Sequence, residues 1–206
     1  MQDRYLYLAR HGEATSEEGG LTEGGRRQAE LLGRRLHEVP LTAVHHGPLP
    51  RAAQTARLIA EQVSGVPLRE CETAGDYVPY VPDRGELPSE IADAMLSRLG
   101  SVSAAERTHG AELARRAVAD FTGPVEHGDA PRHDLVVTHA FLVAWLVRAA
   151  LDAPPWRWMS LTHGNAALTV IRYAEARPAT VLVYNDVSHL PDELRWTGFP
   201  PQLRTP

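Results

Sequence analysis

Short apolar runs alternate with helix-spaced apolar positions along most of this chain. Apolar or β-branched runs predict strands over residues 5–9 and 41–46, near Leu68, and over residues 135–138, 167–173 and 180–184. Apolar positions at helical spacing predict helices after Thr22 as far as Val39, and over residues 51–63, 91–99, 111–121 and 141–151. Glycines and prolines interrupt the pattern over residues 72–87 and indicate an irregular insertion.

This alternation of strands and helices predicts an α/β fold. We expect a three-layer sandwich, with a mostly parallel sheet, helices on both faces and an antiparallel addition near the end. With 206 residues and 43% hydrophobic content, the chain can bury the core of a single domain, predicted over residues 1–190. A proline-rich tail over residues 191–206 is expected either to wrap the surface or to fray.

The first predicted strand ends in Arg10, His11 and Gly12, which suit phosphate chemistry. Open α/β sheets bind ligands at the carboxyl ends of their strands. The planar fork of an arginine can donate two hydrogen bonds to a phosphate, and a neutral imidazole can attack phosphorus. Gly12 leaves room for the chain to turn and for a ligand to approach. For these three residues alone, a buried strand with a polar end is the simpler interpretation.

Three more segments follow in an order that resembles a known family. Thr22 opens a helix in a Leu-Thr-x-x-Gly segment, and Arg51 lies in the segment Pro-Arg-Ala-Ala-Gln-Thr-Ala. Thr138 and His139 close a second apolar strand. Together with the early Arg-His-Gly, these segments resemble the histidine phosphatase superfamily, the phosphoglycerate-mutase-like fold, over roughly residues 5–173.

The resemblance implies that His11 becomes phosphorylated and that Arg10, Arg51 and His139 bind the phosphoryl oxygens. Nearby arginines would disfavour the protonated imidazole of His11 and keep one nitrogen free to attack. Taken separately, Arg51 is explained as a solvated arginine at a helix start, and His139 as an ordinary histidine at a strand end. The ordered set of motifs favours a shared phosphate site.

Three further site candidates each have a second interpretation. The resemblance places Thr22 close to the phosphate, but this threonine is also a suitable helix cap. Thr138 either helps to fix the pocket through its hydroxyl or is only a β-branched strand residue. The resemblance places Asn165 in the pocket lining, but an ordinary asparagine in a turn is an equally good interpretation of this residue.

Four acidic residues are candidates for the proton donor. The family often has a glutamate in a Leu-x-Glu triplet after the third strand, and Glu70 matches this triplet but comes early. Asp76 lies nearer the expected distance, in a loop that can reach over a pocket. We therefore favour Asp76, followed by Glu72, Glu70 and Asp83. Any one of them is also explained as a solvated loop carboxylate.

His45 and His46 stand where the family commonly has serines. Paired histidines suggest a metal, but adjacent strand residues point to opposite faces and cannot easily share one ion. We interpret them as pocket-wall or packing residues, and expect neither a metal nor another cofactor. The segment between Gly12 and Leu21 is short and lacks the tryptophan and asparagine found there in phosphoglycerate mutases, which favours a phosphatase.

Composition restricts the partners and the compartment. A net charge of −5 gives no sign of general affinity for nucleic acid or anionic membranes. The single Cys71 excludes an intrachain disulfide framework and fits a reducing compartment. Residues 1–4 lack signal-peptide features, and the apolar stretch 140–151 is too short to span a bilayer. We expect a cytoplasmic protein, with a homodimer as one open alternative for its assembly.

These observations predict a metal-independent phosphomonoester hydrolase that acts on a small phosphorylated metabolite. His11 attacks the phosphoryl group, and Asp76, the preferred acid, protonates the leaving alcohol and then activates water. Two alternatives stay open. One is a cofactor-dependent mutase of the phosphoglycerate type, and the other is a non-catalytic module that binds a phosphorylated ligand.

Overall fold

The strands and helices follow the hydrophobic pattern closely. The computed structural model describes residues 1–15, 19–63, 65–126 and 130–204. The strands in this part of the chain are β1 (Arg4–Arg10), β2 (Ala43–His46), β3 (Leu68–Glu70), β4 (Arg132–Thr138), β5 (Leu168–Tyr173) and β6 (Thr180–Asp186). The α-helices there are α1 (Glu23–Leu36), α2 (Pro50–Ala60), α3 (Ala92–Leu99), α4 (Ala104–Phe121) and α5 (Ala140–Ala150).

The six strands of the described residues form one sheet in the order β3-β2-β4-β1-β5-β6. Strands β3, β2, β4 and β1 are parallel, whereas β5 is antiparallel to β1 and β6 is antiparallel to β5. The predicted mostly parallel sheet with an antiparallel addition is therefore confirmed. Because parallel strands end at the same edge, Arg10 of β1 and Thr138 of β4 lie side by side in register.

Alternate side chains of the sheet pack into two cores, one on each face. On one face, Leu6 and Leu8 of β1 pack with buried residues of α4 and α5. On the other face, Ala9 of β1 and Val137 of β4 pack with α1 and α2. Helices therefore cover both faces, and the predicted three-layer α/β sandwich is confirmed. In the described residues, no helix is both long enough and apolar enough to cross a membrane.

The largest difference from the predicted elements concerns α4, which begins at Ala104 and not at residue 111. Ser103 and Glu106 form a capping box: the Ser103 hydroxyl accepts from the Glu106 amide, and the Glu106 carboxylate accepts from the Ser103 amide. The first turns of α4 are exposed, so they carry little apolar periodicity. Their helical structure depends on the cap and not on burial.

Other element ends differ from the pattern by two or three residues. Strand β2 begins at Ala43, α1 ends at Leu36 and α2 ends at Ala60, where the pattern predicts residues 41, 39 and 63.

The described part of the tail, residues 191–204, lies against the rest of the chain. Leu194 and Trp196 pack on a small cluster that contains the buried side chains of Val187 and Leu190. The tail therefore wraps the surface in this region. It also reaches the edge of the sheet where β1 ends.

Candidate active site

A pocket of about 620 Å³ opens at the edge of the sheet where the parallel strands end. The ends of β1 and β4 and the start of α2 all reach this edge. The lining of the pocket includes six of the sequence-predicted candidates: Arg10, His11, Arg51, Asp76, His139 and Asn165.

His11 lies at the floor of this pocket as a neutral imidazole. Its Nδ1 is 2.7 Å from the Gly12 carbonyl oxygen, which can only accept, so Nδ1 carries the proton. Its Nε2 is therefore unprotonated, and the Arg51 Nε–H donates to it at 3.2 Å. Burial, followed by the nearby charge of Arg10, lowers the pKa of His11 to about 3. The unprotonated nitrogen of His11 thus faces the cations of the pocket.

Arg51 and Asp76 form an ion pair beside His11. Arg51 is buried in the first turn of α2, and its Nη2 donates to Asp76 Oδ2 at 2.7 Å. Arg51 Nη1 has no hydrogen-bond partner among the described residues. The side chain of Asp76 is 38% exposed and lies at the pocket wall. An anion in the pocket would therefore meet one free donor of Arg51 and one donor that it shares with Asp76.

Arg10 is held in place by backbone carbonyls. Its Nη1 donates to the carbonyl oxygens of His163 at 2.8 Å and Gly198 at 2.7 Å. Burial lowers the pKa of Arg10 to about 10, while the Asp76 carboxylate opposes this effect. The guanidinium therefore stays charged at neutral pH and contributes positive charge to the pocket.

His139 is the N-cap residue of α5 and is buried. Its ring centroid lies 5.0 Å from that of His11, and its Nδ1 is 3.4 Å from Asp76 Oδ2 without hydrogen-bond geometry. Burial, followed by the charges of Arg51 and Arg10, lowers the pKa of His139 to about 3. A neutral His139 can donate one hydrogen bond to an anion at the positive end of α5.

The two threonine candidates lie outside the pocket lining. The Thr22 hydroxyl accepts from the Gly25 amide as the cap of α1 and donates to the Glu13 carboxylate at 2.8 Å. The Thr138 hydroxyl, fully buried, donates to the Ala74 carbonyl at 2.7 Å. Thr138 thus ties the end of β4 to the segment that leads into Asp76.

Asn165 lines the pocket and is held by the tail. Its amide nitrogen Nδ2 donates to Thr197 Oγ1 at 3.2 Å, whereas Oδ1 has no partner among the described residues. The backbone amide of Asn165 also donates to the Thr197 carbonyl. The pocket therefore depends on the tail on this side.

Among the four acids considered as proton donor, Asp76 alone lines the pocket. Glu70 is exposed on β3. Glu72 pairs with Arg116 at 3.5 Å, and Asp83 pairs with Arg107 at 3.7 Å. The geometry therefore favours Asp76 for this role.

The side chains of His45 and His46 lie in different surroundings, as the alternation of side chains along a strand predicts. His46 is buried, with its Nδ1 at 2.8 Å from the Gly47 carbonyl. His45 packs edge-on against Phe121 and lies 3.9 Å from Asp134. Neither lines the pocket, so they act as packing residues. Within the described residues, no group of three or more His, Cys, Asp or Glu side chains is placed to hold a metal ion.

Sequence reasoning missed Gln28, a fully buried amide that joins three segments at the pocket. Its Oε1 accepts from the Glu13 amide at 2.8 Å. Its Nε2 donates to the Leu194 carbonyl at 2.8 Å and to Thr197 Oγ1 at 2.7 Å. It also missed Thr55, whose hydroxyl accepts from the Gly12 amide at 3.0 Å. Thr55 belongs to the quoted Pro-Arg-Ala-Ala-Gln-Thr-Ala segment, and Gln28 follows the Leu-Thr-x-x-Gly segment. The partners of both side chains are remote in sequence.

Replacing Gly198 by alanine should weaken phosphate binding. Gly198 has a φ of +65°, and an added Cβ would lie 2.6 Å from Asn165 Oδ1 and 2.7 Å from Arg10 Nη1. Arg10 would have to move, and losing one hydrogen bond of a charged group should raise KM for a phosphate ester about tenfold. Steady-state kinetics and calorimetric titration with inorganic phosphate measure this effect.

Gly100→Ala is the matched control for this substitution. Gly100 has a similar φ of +61°, but an added Cβ meets nothing within 4 Å. Both variants place a side chain at a positive φ, and Gly198→Ala alone should lose affinity. Equal KM values for the two variants would show that Gly198 does not position Arg10.

Comparisons with known proteins show the family of this chain. The family model of the histidine phosphatase superfamily (branch 1) matches residues 6–186. The serine/threonine-protein phosphatase Pgam5, mitochondrial, of Caenorhabditis briggsae is 28% identical over 200 residues, covering 94% of this chain and 67% of the relative. The protein of the same name from Caenorhabditis elegans is 29% identical over 192 residues, covering 91% and 64%. This chain thus spans about two thirds of the length of these relatives.

Solved structures show the same architecture. Bacillus stearothermophilus YhfR superposes with a TM-score of 0.68 at 25% identity, covering 90% of this chain and 98% of that protein. The complex of mycobacterial glucosyl-3-phosphoglycerate phosphatase Rv2419c with VO3 has a TM-score of 0.65 at 25% identity, covering 88% and 98%. Because the family model extends over most of the chain and includes every strand that ends at the pocket, the chain belongs to the histidine phosphatase superfamily.

Proposed function

We propose that this chain is a phosphomonoester hydrolase that acts through a phosphohistidine intermediate on a small phosphorylated metabolite. The observation that carries the proposal is the neutral His11 Nε2, which shares one pocket with the cations Arg10 and Arg51 and the acid Asp76. Phosphoryl transfer needs a nucleophile, positive charge around the moving group and an acid for the leaving oxygen. Relatives and structural neighbours that carry phosphatase names support the hydrolytic class.

The reaction proceeds in two steps. First, the lone pair of His11 Nε2 forms a bond to phosphorus while the bond from phosphorus to the alcohol oxygen breaks. The phosphoryl dianion first displaces the Asp76 carboxylate from Arg51, and the released carboxylate takes a proton from solvent. The protonated carboxyl of Asp76 then gives this proton to the alcohol oxygen, and the alcohol leaves neutral. Next, the Asp76 carboxylate takes a proton from water, whose oxygen attacks phosphorus and breaks the bond to Nε2. Phosphate, neutral His11 and protonated Asp76 result.

Backbone and guanidinium groups stabilise the charges of these steps. The Gly12 carbonyl accepts from Nδ1–H of His11 and so favours the imidazolium character that develops as Nε2 bonds to phosphorus. Arg51 already carries a free Nη1, and a phosphoryl dianion competes with Asp76 for its Nη2. Once Arg51 turns to the phosphoryl oxygens, the carboxyl of Asp76 faces the leaving oxygen.

We further propose that catalysis needs no metal ion, because arginine and histidine side chains supply the positive charge around the phosphoryl group. Phosphate release from 4-nitrophenyl phosphate should persist in excess EDTA. Vanadate, which forms five-coordinate complexes that imitate the transition state, should inhibit it. Activity that is lost in chelator and restored by one particular metal would contradict this mechanism.

The same preparation separates the competing functions. Phosphate release from a panel of esters, which includes a phosphoseryl peptide, is compared with the interconversion of 2- and 3-phosphoglycerate. We expect release to be the faster reaction. Interconversion that exceeds release from every ester would assign a mutase. Bound phosphate without turnover of any ester would assign a binding module.

A further inference from the structure

A second cavity, of about 330 Å³, adjoins the candidate active site. Asp76 and Phe141 line both cavities, so the two meet at the carboxyl of the proposed acid. Tyr77, Val78 and Val102 form further walls of the second cavity. Its position beside Asp76 gives it access to the leaving group of a bound ester.

The walls of this cavity are held by contacts outside it. The ring of Phe141 packs edge-on against Trp158 at a centroid distance of 4.9 Å. The Tyr77 hydroxyl donates to the Thr73 carbonyl at 2.9 Å. At Gly110 of α4, an added Cβ would lie 2.2 Å from the Val78 carbonyl oxygen, so α4 approaches the loop as closely as the backbone allows. The cavity is therefore a preformed feature of the fold.

The cavity lining carries more acidic than basic side chains. Glu106 lies there, and its hydrogen bonds with Ser103, at the side chain and the backbone, lower the pKa of its carboxyl. Asp76 adds a second carboxyl, and His109 is the basic side chain of the lining. No arginine is among the described residues that line this cavity. An additional anionic group on a ligand would meet apolar walls and a carboxylate without a cation to pair with.

We propose that the second cavity binds the alcohol part of the substrate, and that the enzyme therefore prefers phosphomonoesters of aromatic or apolar alcohols without an acidic group. The inference rests on the proposed function, because the alcohol is bonded to the phosphorus that His11 attacks and must lie next to Asp76. Phe141 and Glu106 are the specificity-determining residues. Phe141 favours a flat apolar group, and Glu106 disfavours carboxylates and second phosphates.

Two matched esters test the role of charge. The values of kcat/KM are measured at about pH 8 for 4-methylphenyl and 4-carboxyphenyl phosphate. The carboxyl-substituted phenol is the better leaving group. 4-Methylphenyl phosphate should nevertheless react about tenfold faster than 4-carboxyphenyl phosphate, since an anion is costly in an apolar cavity. Glu106→Gln, which keeps the oxygen that caps α4, should reduce this preference about two- to fivefold. Glu112→Gln on the exposed part of α4 is the control and should keep the preference.

Two further esters test the apolar wall. The ratio of kcat/KM for 2-naphthyl phosphate to that for phenyl phosphate reports the contact with the ring of Phe141. Phe141→Ala should reduce this ratio about five- to tenfold, because it removes an aromatic partner of the larger ring. Leu182→Ala, an exposed apolar residue of β6, should leave the ratio unchanged. Because each ratio is taken within one variant, a partial loss of folded protein cancels.

The outcomes separate the two proposals. Hydrolysis of all four esters with no preference, or preferences that survive in Glu106→Gln and Phe141→Ala, would overturn the assignment of this cavity and leave the phosphatase function intact. Hydrolysis of none of the esters would overturn the proposed function, and the subsite with it.

Discussion

Replacing His11 by alanine should reduce kcat for phosphate release by about 10⁴-fold or more, the range seen when a catalytic nucleophile is removed. The variant lacks the nitrogen that bonds to phosphorus, and His139, the second neutral imidazole of the pocket, lies in a different position, with its ring centroid 5.0 Å from that of His11. Steady-state kinetics with 4-nitrophenyl phosphate measure the loss. The exposed His37 is the control, because His37→Ala removes an imidazole far from the pocket.

The intermediate itself provides the second readout of this prediction. Wild-type protein mixed with a radiolabelled ester and quenched in base should retain label that acid releases, and His11→Ala should retain none. Phosphohistidine is stable in base and labile in acid, which distinguishes it from a phosphoserine. Near-normal turnover by His11→Ala, or its labelling to the wild-type level, would contradict the mechanism.

The pKa of His11 also sets the expected pH dependence. A folded-state pKa of about 3 keeps the imidazole neutral from about pH 5 to about pH 8, so the nucleophile is not lost as the pH falls through the usual histidine range. Any acidic limb near pH 6 should belong to the second ionisation of the substrate phosphate, and should shift with the substrate. A fall in rate below about pH 6.5 that is the same for every ester would contradict a neutral His11.

Replacing Asp76 by asparagine should slow an alkyl phosphate by about 10²- to 10⁴-fold and slow an aryl phosphate much less. An alkoxide is a poor leaving group and needs the proton in the transition state, whereas a nitrophenolate leaves readily without it. Asparagine keeps the size of the side chain and a hydrogen-bond acceptor for Arg51, but it cannot carry the proton. The two rate ratios, measured on one preparation of each variant, separate acid catalysis from a general loss of activity.

Glu70→Gln and Glu72→Gln complete this comparison. Both residues lie outside the pocket lining, so these variants should react with alkyl and aryl esters at nearly the wild-type rates. If Asp76→Asn matches wild type on alkyl phosphates while one of the glutamine variants fails, the acid lies earlier in the loop.

The sequence by itself determined the layers of this protein and the floor of its pocket. Alternation along β1 places Leu8 and Ala9 on opposite faces, because successive side chains of a strand point to opposite sides. Helical periodicity identified α1 for a related reason, since this helix buries one side. A continuous apolar run identified α5, which is buried over residues 142–147. The carboxyl ends of parallel strands meet at one edge, which predicts that His11 and His139 lie together, and their ring centroids are 5.0 Å apart.

Only the tertiary structure decided which acid faces the pocket and which backbone groups hold Arg10. The path of the loop at Asp76 depends on the bond from Thr138 to Ala74, 64 residues away, and Arg10 is held by Gly198, 188 residues away. Periodicity reports which side of a local element is buried, and a motif reports its own segment. Neither carries information about a hydrogen bond between segments remote in sequence, because such pairs form only when the packed sheet brings them within reach.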